Sequence, residues 1–555
     1  MKNKTIFFLV LSLAAFFFFF HLGDRSFRNP DEGRYAEIAR NMVTSGDWIK
    51  PQLYGVDYLR KPILFYWLVA LSFKLFGFNE TAARLVPAFF GFLSVGITFL
   101  FAKRTMGQRT AVFTALLLMT NFWFLQVGRY LLIDMVFTFF ITAALFSFFL
   151  ATLEESERNL YYVFFYISAG LAFLTKGMAG LVIPALAILL YMAAVRRTWG
   201  FFRPIRLFAG FAIFLAIVGP WFVLIAIREP KFLEFFFIHE HFKRFASSQF
   251  EHQESWYFYL WVIPAIFMPW TVIWHPLKRA TGLIRQKMRE NAFFFSVLSS
   301  AGILVFYSLS KTKLPTYILP AIPLLCLVLG RVWRDWSDES VSKNTVWPVI
   351  GPVTILIFLA VGFLVASTQI FALAEGRFNP DTAVYFRIMA GVAVAGSVAA
   401  IRALRRGRRD LFFYMLTLTT GSLSLVFSYV MDVVNQDYTT RYFAETLSPR
   451  LKSSDQVFIY DHPGPFYDFR FYLKKPVKLV GLAGELELAD KSDPDGKKAW
   501  VTRDEFWKSV EQHKSLYCLM RRSDYEGLSR EQRNKTSVVF QDKRKVLFGA
   551  GIGTQ

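Results

Sequence analysis

The run "FFLVLSLAAFFFFFHL" (7–22) passes within a few residues into "RNPDEGRYAEIARNM" (28–42). The first stretch has the apolar character of a membrane span, and the second sets two adjacent carboxylates, Asp31 and Glu32, at its exit. The junction therefore predicts a chain that enters a bilayer at its N-terminus and then presents an acidic helix at the surface. Asn29 suits a helix cap and Pro30 a first helical position, while Asp31 and Glu32 fall in the first turn, where carboxylates offset unpaired amides and the positive dipole end. Tyr35, Ile38, Ala39 and Met42 mark one apolar face at helical spacing, with Arg34, Glu37 and Arg40 on the others. An amphipathic helix lying on the membrane satisfies this pattern, and so does a working site built on its acids.

Composition extends the reading to the whole chain. Of the 555 residues 54% are hydrophobic and 64 are phenylalanine, and the mean hydropathy is +0.37, which excludes an ordinary soluble protein. Spans are predicted at 5–22, 82–102, 110–127, 132–152, 160–175, 177–195, 207–227, 257–277, 292–309, 315–332, 346–368, 383–403 and 411–432, about thirteen in all. The segment "PILFYWLVALSFKLFG" (62–77) is shorter and carries Lys74, so it is expected as a juxtamembrane helix. The fold class is thus an α-helical polytopic membrane protein with juxtamembrane helices in its first external loop.

Basic residues gather on alternate connections: Lys2 and Lys4; Lys103, Arg104 and Arg109; Arg196, Arg197, Arg203 and Arg206; 278–289; and Arg402 to Arg409. By the positive-inside rule these are cytoplasmic, and the net charge of +22 follows from topology. Arginines scattered over loops, with no recognisable nucleic-acid module, point away from nucleic acid as a partner. The first span lacks a small-residue cleavage site before "HLGDRS" and is expected to stay as an uncleaved anchor.

Residues 23–81 then lie outside, as do the connections near 128–131, 229–256, 310–315 and 369–382 and everything after about 433. The tail changes texture, with "QVFIYD", "VKLVGL" and "KSLYCLM" separated by stretches such as "TRDEFWKSVEQH". It is expected to form a small α/β domain outside the membrane (433–555), appended to a membrane domain (1–432) that includes the first loop. Cys326 in a span and Cys518 in this domain are too far apart in the plan to form a disulfide.

The external pieces hold the polar residues that apolar surroundings make expensive. Asp134 in "GRYLLIDMVFTFF" opens a span; a simple ion pair with Arg129 would satisfy it, and so would a functional role. "YLRKPILFYW" offers Tyr58, Arg60 and Lys61, as surface anchors or as ligands of an anion. In "HEHFKRFASSQFEHQESWY" an ion pair between Glu240 and Arg244 competes with a role for Arg244 in binding, and His239 and His241 are metal candidates only if their segment is extended. "SKTKLPTYILPAIPLL" sets Lys311, Lys313 and Tyr317 at the mouth of a span, as interfacial anchors or as binding groups. Together these residues share one side of the membrane and combine carboxylates with cations. Such a set suits an anionic lipid-linked substrate, with cations and hydroxyls on a phosphate and a carboxylate facing the transferred group. A transporter would instead concentrate its charges near the midplane.

"PDEGRYAEIARNMVTSGDWIKPQLYGVDYLRKPILFYW" (30–67), "EHFKRF" (240–245) and "KLPTYILP" (313–320) resemble the bacterial lipid A aminoarabinose transferases, within the protein O-mannosyltransferase-like glycosyltransferases of the C-type membrane fold. The likeness covers roughly residues 5 to 330. It implies a multi-pass enzyme of the bacterial inner membrane that takes a sugar from a polyprenyl phosphate and passes it, with inversion, to lipid A or another envelope acceptor. Protein hydroxyls are the acceptor in the mannosyltransferase alternative. It further implies that Asp31 lies at the reaction centre with Asp134 near it, and that Lys61, Arg244 and Tyr317 hold the lipid phosphate. Glu32, Arg34, Tyr58, Arg60, Lys311 and Lys313 are further substrate-binding candidates. The family's common "EKP" is "RKP" here: Arg60 replaces an acid that resembles a metal contact in relatives, which weakens the case for a divalent metal and leaves His239 and His241 as its remaining candidates.

Overall fold

The computed structural model describes residues 3–195, 204–243, 253–273, 292–338, 353–354, 380–481, 500–512 and 515–551. The chain divides into two compact units, one of Met1–Leu22 with Arg84–Val433 and one of Gly23–Ala83 with Val434–Gln555.

The first unit is helical. Among the described residues seven helices are long and apolar enough to cross a membrane, including Glu80–Met106, Ile133–Leu153, Ala292–Leu309 and Arg409–Met431. An eighth arises if Gln108–Thr120 and Phe122–Gly128, bent by 63°, count as one span. The bend sits at Asn121, whose extended backbone stops the first helix and whose side chain accepts the Phe124 N–H at 2.9 Å to start the second. Asn3–Phe19 and Ala179–Val195 are shorter apolar helices. Of the stretch expected as a span at 257–277, the described part, to Ile273, is a nine-residue helix, Phe258–Ile266, followed by a 3-10 turn at Trp270–Ile273, with Pro264 and Pro269 interrupting the backbone ladder. The expected span 346–368 lies almost wholly outside the described residues.

Helices of this unit are tied at both ends by charge. At one end Arg104 pairs with Glu154 and, at 3.2 Å, with Glu157, while Arg109 pairs with Asp338 and, at 2.8 Å, with Asp410. The antiparallel Ile133–Leu153 and Arg158–Lys176 helices, joined by a four-residue connection (154–157), carry Asp134 and Lys176 to the other end.

The second unit is built on a mixed sheet. Its strands are β3 (Gln456–Tyr460), β4 (Lys478–Val480), β5 (Trp500–Val501), β6 (Leu516–Arg521), β7 (Ser537–Gln541) and β8 (Lys545–Ala550), in the order β5-β4-β3-β6-β8-β7. β3 to β6 run parallel, and β8 turns back antiparallel to β6. Phe458, Val480, Cys518, Met520 and Phe548 form the core with Phe506 and Val510 of the Arg503–Glu511 helix, whose start is fixed by a Thr502–Glu505 capping box. Cys326 and Cys518 are both free and buried.

The first external loop groups with this second unit by its contacts. The Asp31–Ser45 helix packs on Leu64–Phe76 through Tyr35 and Phe65, ring centroids 5.2 Å apart. Phe27 and Phe73 close on Phe471 at 4.9 and 5.8 Å, and the buried Tyr54 hydroxyl donates to the Phe466 carbonyl at 2.9 Å. A two-residue hairpin joins β1 (Gln52–Leu53) to β2 (Val56–Asp57) through Tyr54 and Gly55, both at positive φ (58° and 79°), the backbone of a type I′ turn. The Leu64–Phe76 helix leaves Leu71, Leu75 and Phe76 exposed, an apolar face.

Candidate active site

In the helical unit the site begins with Asp134. Leu132 is extended, so the helix starts at Ile133 and puts Asp134 in its first turn, where the unpaired amides favour a carboxylate. Lys176 is the last residue of the neighbouring antiparallel helix, ended by Gly177 at φ 75°, and a cation there is favoured for the mirror-image reason. The two side chains meet at 2.6 Å (Lys176 Nζ to Asp134 Oδ1), and each is nearly buried.

Two tyrosines complete this cluster. The ammonium of Lys176 stands 4.7 Å from the centroid of the Tyr317 ring and 5.4 Å from that of Phe137. Tyr317 lies on the 3-10 turn Pro315–Ala321, whose prolines set the backbone at the mouth of the following helix, and its ring packs 5.4 Å from Tyr307. The Tyr307 hydroxyl is buried and has no hydrogen-bond partner among the described residues, an unmet donor beside the ion pair. Asp134 and Tyr317 thus both lie against Lys176, a residue that the sequence reading did not single out.

Of the two readings of Asp134, the simple ion pair with Arg129 is not what forms. Arg129 instead donates to the carbonyls of Phe17 and Phe20, each at 2.7 Å, and so satisfies the unpaired C-terminal carbonyls of the Asn3–Phe19 helix. Lys313, a substrate-binding candidate, is buried and committed to the carbonyls of Glu254 (2.8 Å) and Ser310. With the Gln253–Thr312 bridge and the Tyr259 hydroxyl donating to the Leu314 carbonyl at 3.1 Å, it clasps residues 253–259 to 311–314 and fixes the approach to Tyr317. Lys311 is exposed, and its carbonyl accepts the Glu254 N–H at 3.3 Å.

In the second unit the adjacent carboxylates separate into two roles. Glu32 is buried and accepts the Arg28 N–H at 3.0 Å. Asn29, expected as the cap, makes no capping bond: its side-chain amide donates to Asp468 and to the Pro465 carbonyl at 3.0 Å, because a buried carboxylate there needs donors. Burial lifts the Asp468 carboxyl above the ordinary aspartate range against hydrogen bonds from Thr439, Thr440 and Asn29 that favour its charge. Asp31 remains half exposed, paired with Arg34. Arg34 in turn lies 5.0 Å from the Tyr35 ring and 5.7 Å from the buried Tyr58 ring, which locks it against the helix. A membrane-surface helix with a wet polar face was expected, yet Glu37 has no exposed surface and takes Arg40 at 2.7 Å and Arg470 at 3.5 Å. Arg60 and Lys61 are half-buried in the turn that leads into the Leu64–Phe76 helix.

Arg244 lies outside the described residues, as do the side chains of His239 and His241. The backbone of both histidines is in a π-helix, Phe235–Lys243, so the extended segment on which they would share a face is not what forms. Among the described residues no group of three or more His, Cys, Asp or Glu side chains is placed to hold a metal ion.

Lys176 was legible in principle. It stands in "LAFLTKGMAG" between two apolar runs, and the rule that singled out Asp134, an ionisable group at the edge of a span, applies to it equally.

Residues 6–236 match the family model of dolichyl-phosphate-mannose-protein mannosyltransferases, and residues 446–549 match the aminoarabinose transferase C-terminal domain. The chain is 29% identical over 552 residues, 96% of each chain, to the undecaprenyl phosphate-alpha-4-amino-4-deoxy-L-arabinose arabinosyl transferase of Erwinia tasmaniensis. It is 34% identical to the protein of that name from Edwardsiella ictaluri over 344 residues, 60% of either chain. The crystal structure of ArnT from Cupriavidus metallidurans bound to undecaprenyl phosphate superposes with a TM-score of 0.84 at 27% identity, covering 100% of both chains. The oligosaccharyltransferase of Archaeoglobus fulgidus, at 13% identity and a TM-score of 0.50, shares the fold over 94% of this chain and 69% of its own.

Proposed function

Because the chain belongs to the family of lipid A aminoarabinose transferases and related protein O-mannosyltransferase-like membrane glycosyltransferases, we propose that it moves 4-amino-4-deoxy-L-arabinose from undecaprenyl phosphate to lipid A. The observation that carries this reading is the likeness over 100% of both chains to an enzyme solved with undecaprenyl phosphate bound. The same likeness and the alternation of basic connections support an inner-membrane protein of about thirteen spans, its acids facing outward, with Leu71, Leu75 and Phe76 set in the interface.

In the proposed reaction a lipid A phosphate oxygen attacks the anomeric carbon of the sugar. The bond from that carbon to the donor phosphate breaks, its electron pair leaves with undecaprenyl phosphate, and the configuration inverts. Charge grows on the departing phosphate, and Lys61, Arg244 and Tyr317 are its proposed ligands, each charged hydrogen bond contributing about 1.5 to 3 kcal/mol. Lys176 is a positioning residue: it holds Asp134 at 2.6 Å and faces the Tyr317 ring. Asp31 directs the acceptor. A phosphate nucleophile needs no strong base, so Asp31 acts by orientation and by its field, with Arg34 fixing its rotamer. A protein hydroxyl would need a base to take its proton, and the half-exposed pair with Arg34 favours the phosphate.

The test is transfer in lipid nanodiscs from labelled undecaprenyl phosphate-aminoarabinose, with lipid A, dephosphorylated lipid A and a serine/threonine peptide as separate acceptors. Labelled lipid A alone supports the proposal. Labelled peptide, or equal labelling of dephosphorylated lipid A, removes the phosphate acceptor.

A further inference from the structure

The second unit carries a cavity of about 870 Å³ that none of the roles above uses. Its position follows from topology. The chain leaves β3 on one side to form β4 and then β5, and returns on the other side as β6, so the strand order reverses between β3 and β6. In open α/β sheets the crevice beyond the carboxyl ends of the strands at such a reversal is the natural ligand position. The end of β6 at Arg521 and the segments leaving those two strands, Gly464–Pro465 after β3 and Arg522–Ser523 after β6, line the cavity.

Charge says what it takes. Several cations reach the cavity wall, and two are already matched: Arg522 pairs with Glu526 at 2.7 Å, and the buried Lys545 is held by Asp542 at 3.0 Å and the Asp437 carbonyl at 2.9 Å. Arg521 and Arg544 have no carboxylate partner among the described residues. Arg544 lies 4.6 Å from the ring of Tyr438, whose ring also has Arg28 at 4.7 Å, so its fork is oriented but not neutralised. The acids on the wall are Glu526, spent on Arg522, and Asp437. A guanidinium fork matches a phosphate bidentately, and the volume exceeds what phosphate alone fills, leaving room for a sugar ring in the cavity that Tyr438 lines.

We propose that the crevice at the β3/β6 reversal binds a sugar phosphate, with Arg521 and Arg544 on the phosphate and Tyr438 against the sugar. The inference rests on the sheet and its side chains, and is independent of the transfer reaction. Its test is calorimetric titration of the full-length protein in neutral nanodiscs with glucosamine 1-phosphate, glucosamine and inorganic phosphate. Glucosamine 1-phosphate is expected to bind, and Arg521→Ala and Arg544→Ala each to weaken it about tenfold with unchanged unfolding temperature. The exposed Arg530→Ala serves as the control that leaves binding as it is. Competition by a diphosphorylated glucosamine disaccharide on acyl chains identifies a lipid-borne ligand; failure to compete identifies a free sugar phosphate. Unchanged affinity in both arginine variants overturns the site, and inorganic phosphate binding as tightly as the sugar phosphate overturns its assignment to a sugar. Loss of transfer activity with intact sugar phosphate binding, or the reverse, separates this site from the transfer reaction.

Discussion

Lys176 Nζ and Asp134 Oδ1 lie 2.6 Å apart, at the facing ends of two antiparallel helices. Neither side chain is more than about an eighth exposed, with 12% and 11% of their surfaces accessible, so each ion depends on the other for its solvation. Removing one alone strands a charge. Lys176→Met and Asp134→Leu are each expected to destabilise the helical unit by about 3 to 5 kcal/mol, and the double variant by clearly less than their sum. Thermal unfolding of the singles and the double in one detergent checks this; additive losses would mean that the pair is not coupled.

The adjacent carboxylates Asp31 and Glu32 should separate by readout. Glu32 is buried on the Arg28 amide, so Glu32→Ala is expected to cost about 1 kcal/mol of stability, like other lost caps. Asp31 is half exposed, so Asp31→Asn should leave the unfolding midpoint within about 0.5 kcal/mol of wild type. Scanning calorimetry of the two variants decides it, and the opposite order would exchange their roles.

Asp468 gives the second unit a pH dependence of definite sign. Burial holds its carboxyl above the ordinary range, so in the window between its unfolded and folded pKa the folded state binds more protons than the unfolded one. Its contribution is fully present below the unfolded pKa and is lost as pH rises through the folded value. The difference in unfolding midpoint between wild type and Asp468→Asn should therefore shift in favour of wild type as the pH falls from neutral toward the ordinary aspartate range. A difference that is flat or moves the other way refutes the assignment.

Hydrophobic runs and basic connections made the helical class legible, because a span must be apolar whatever its neighbours are. The helix at Asp31 and the short one at Leu64–Phe76 were equally readable from periodicity. What packs against them was not: Glu37 looks solvent-facing in a helical wheel, and it is buried between Arg40 of its own helix and Arg470, more than four hundred residues on. The same holds for Asn29, a strong cap by residue type that a distant Asp468 recruits instead. In the site, Asp134 announced itself as an acid in an apolar run, while the one partner considered for it was Arg129, which is nearer in sequence than Lys176. Carbonyls at the end of the first helix compete for that arginine, and the helical hairpin delivers Lys176 to the acid.

The most direct measurement is the rate of label transfer from undecaprenyl phosphate-aminoarabinose to lipid A by wild type, Asp31→Asn and Lys61→Ala in nanodiscs. The account predicts that Asp31→Asn falls to background and that Lys61→Ala loses roughly one to two decades in kcat/KM, the equivalent of one charged hydrogen bond to the departing phosphate. Wild-type rates in both variants would contradict it.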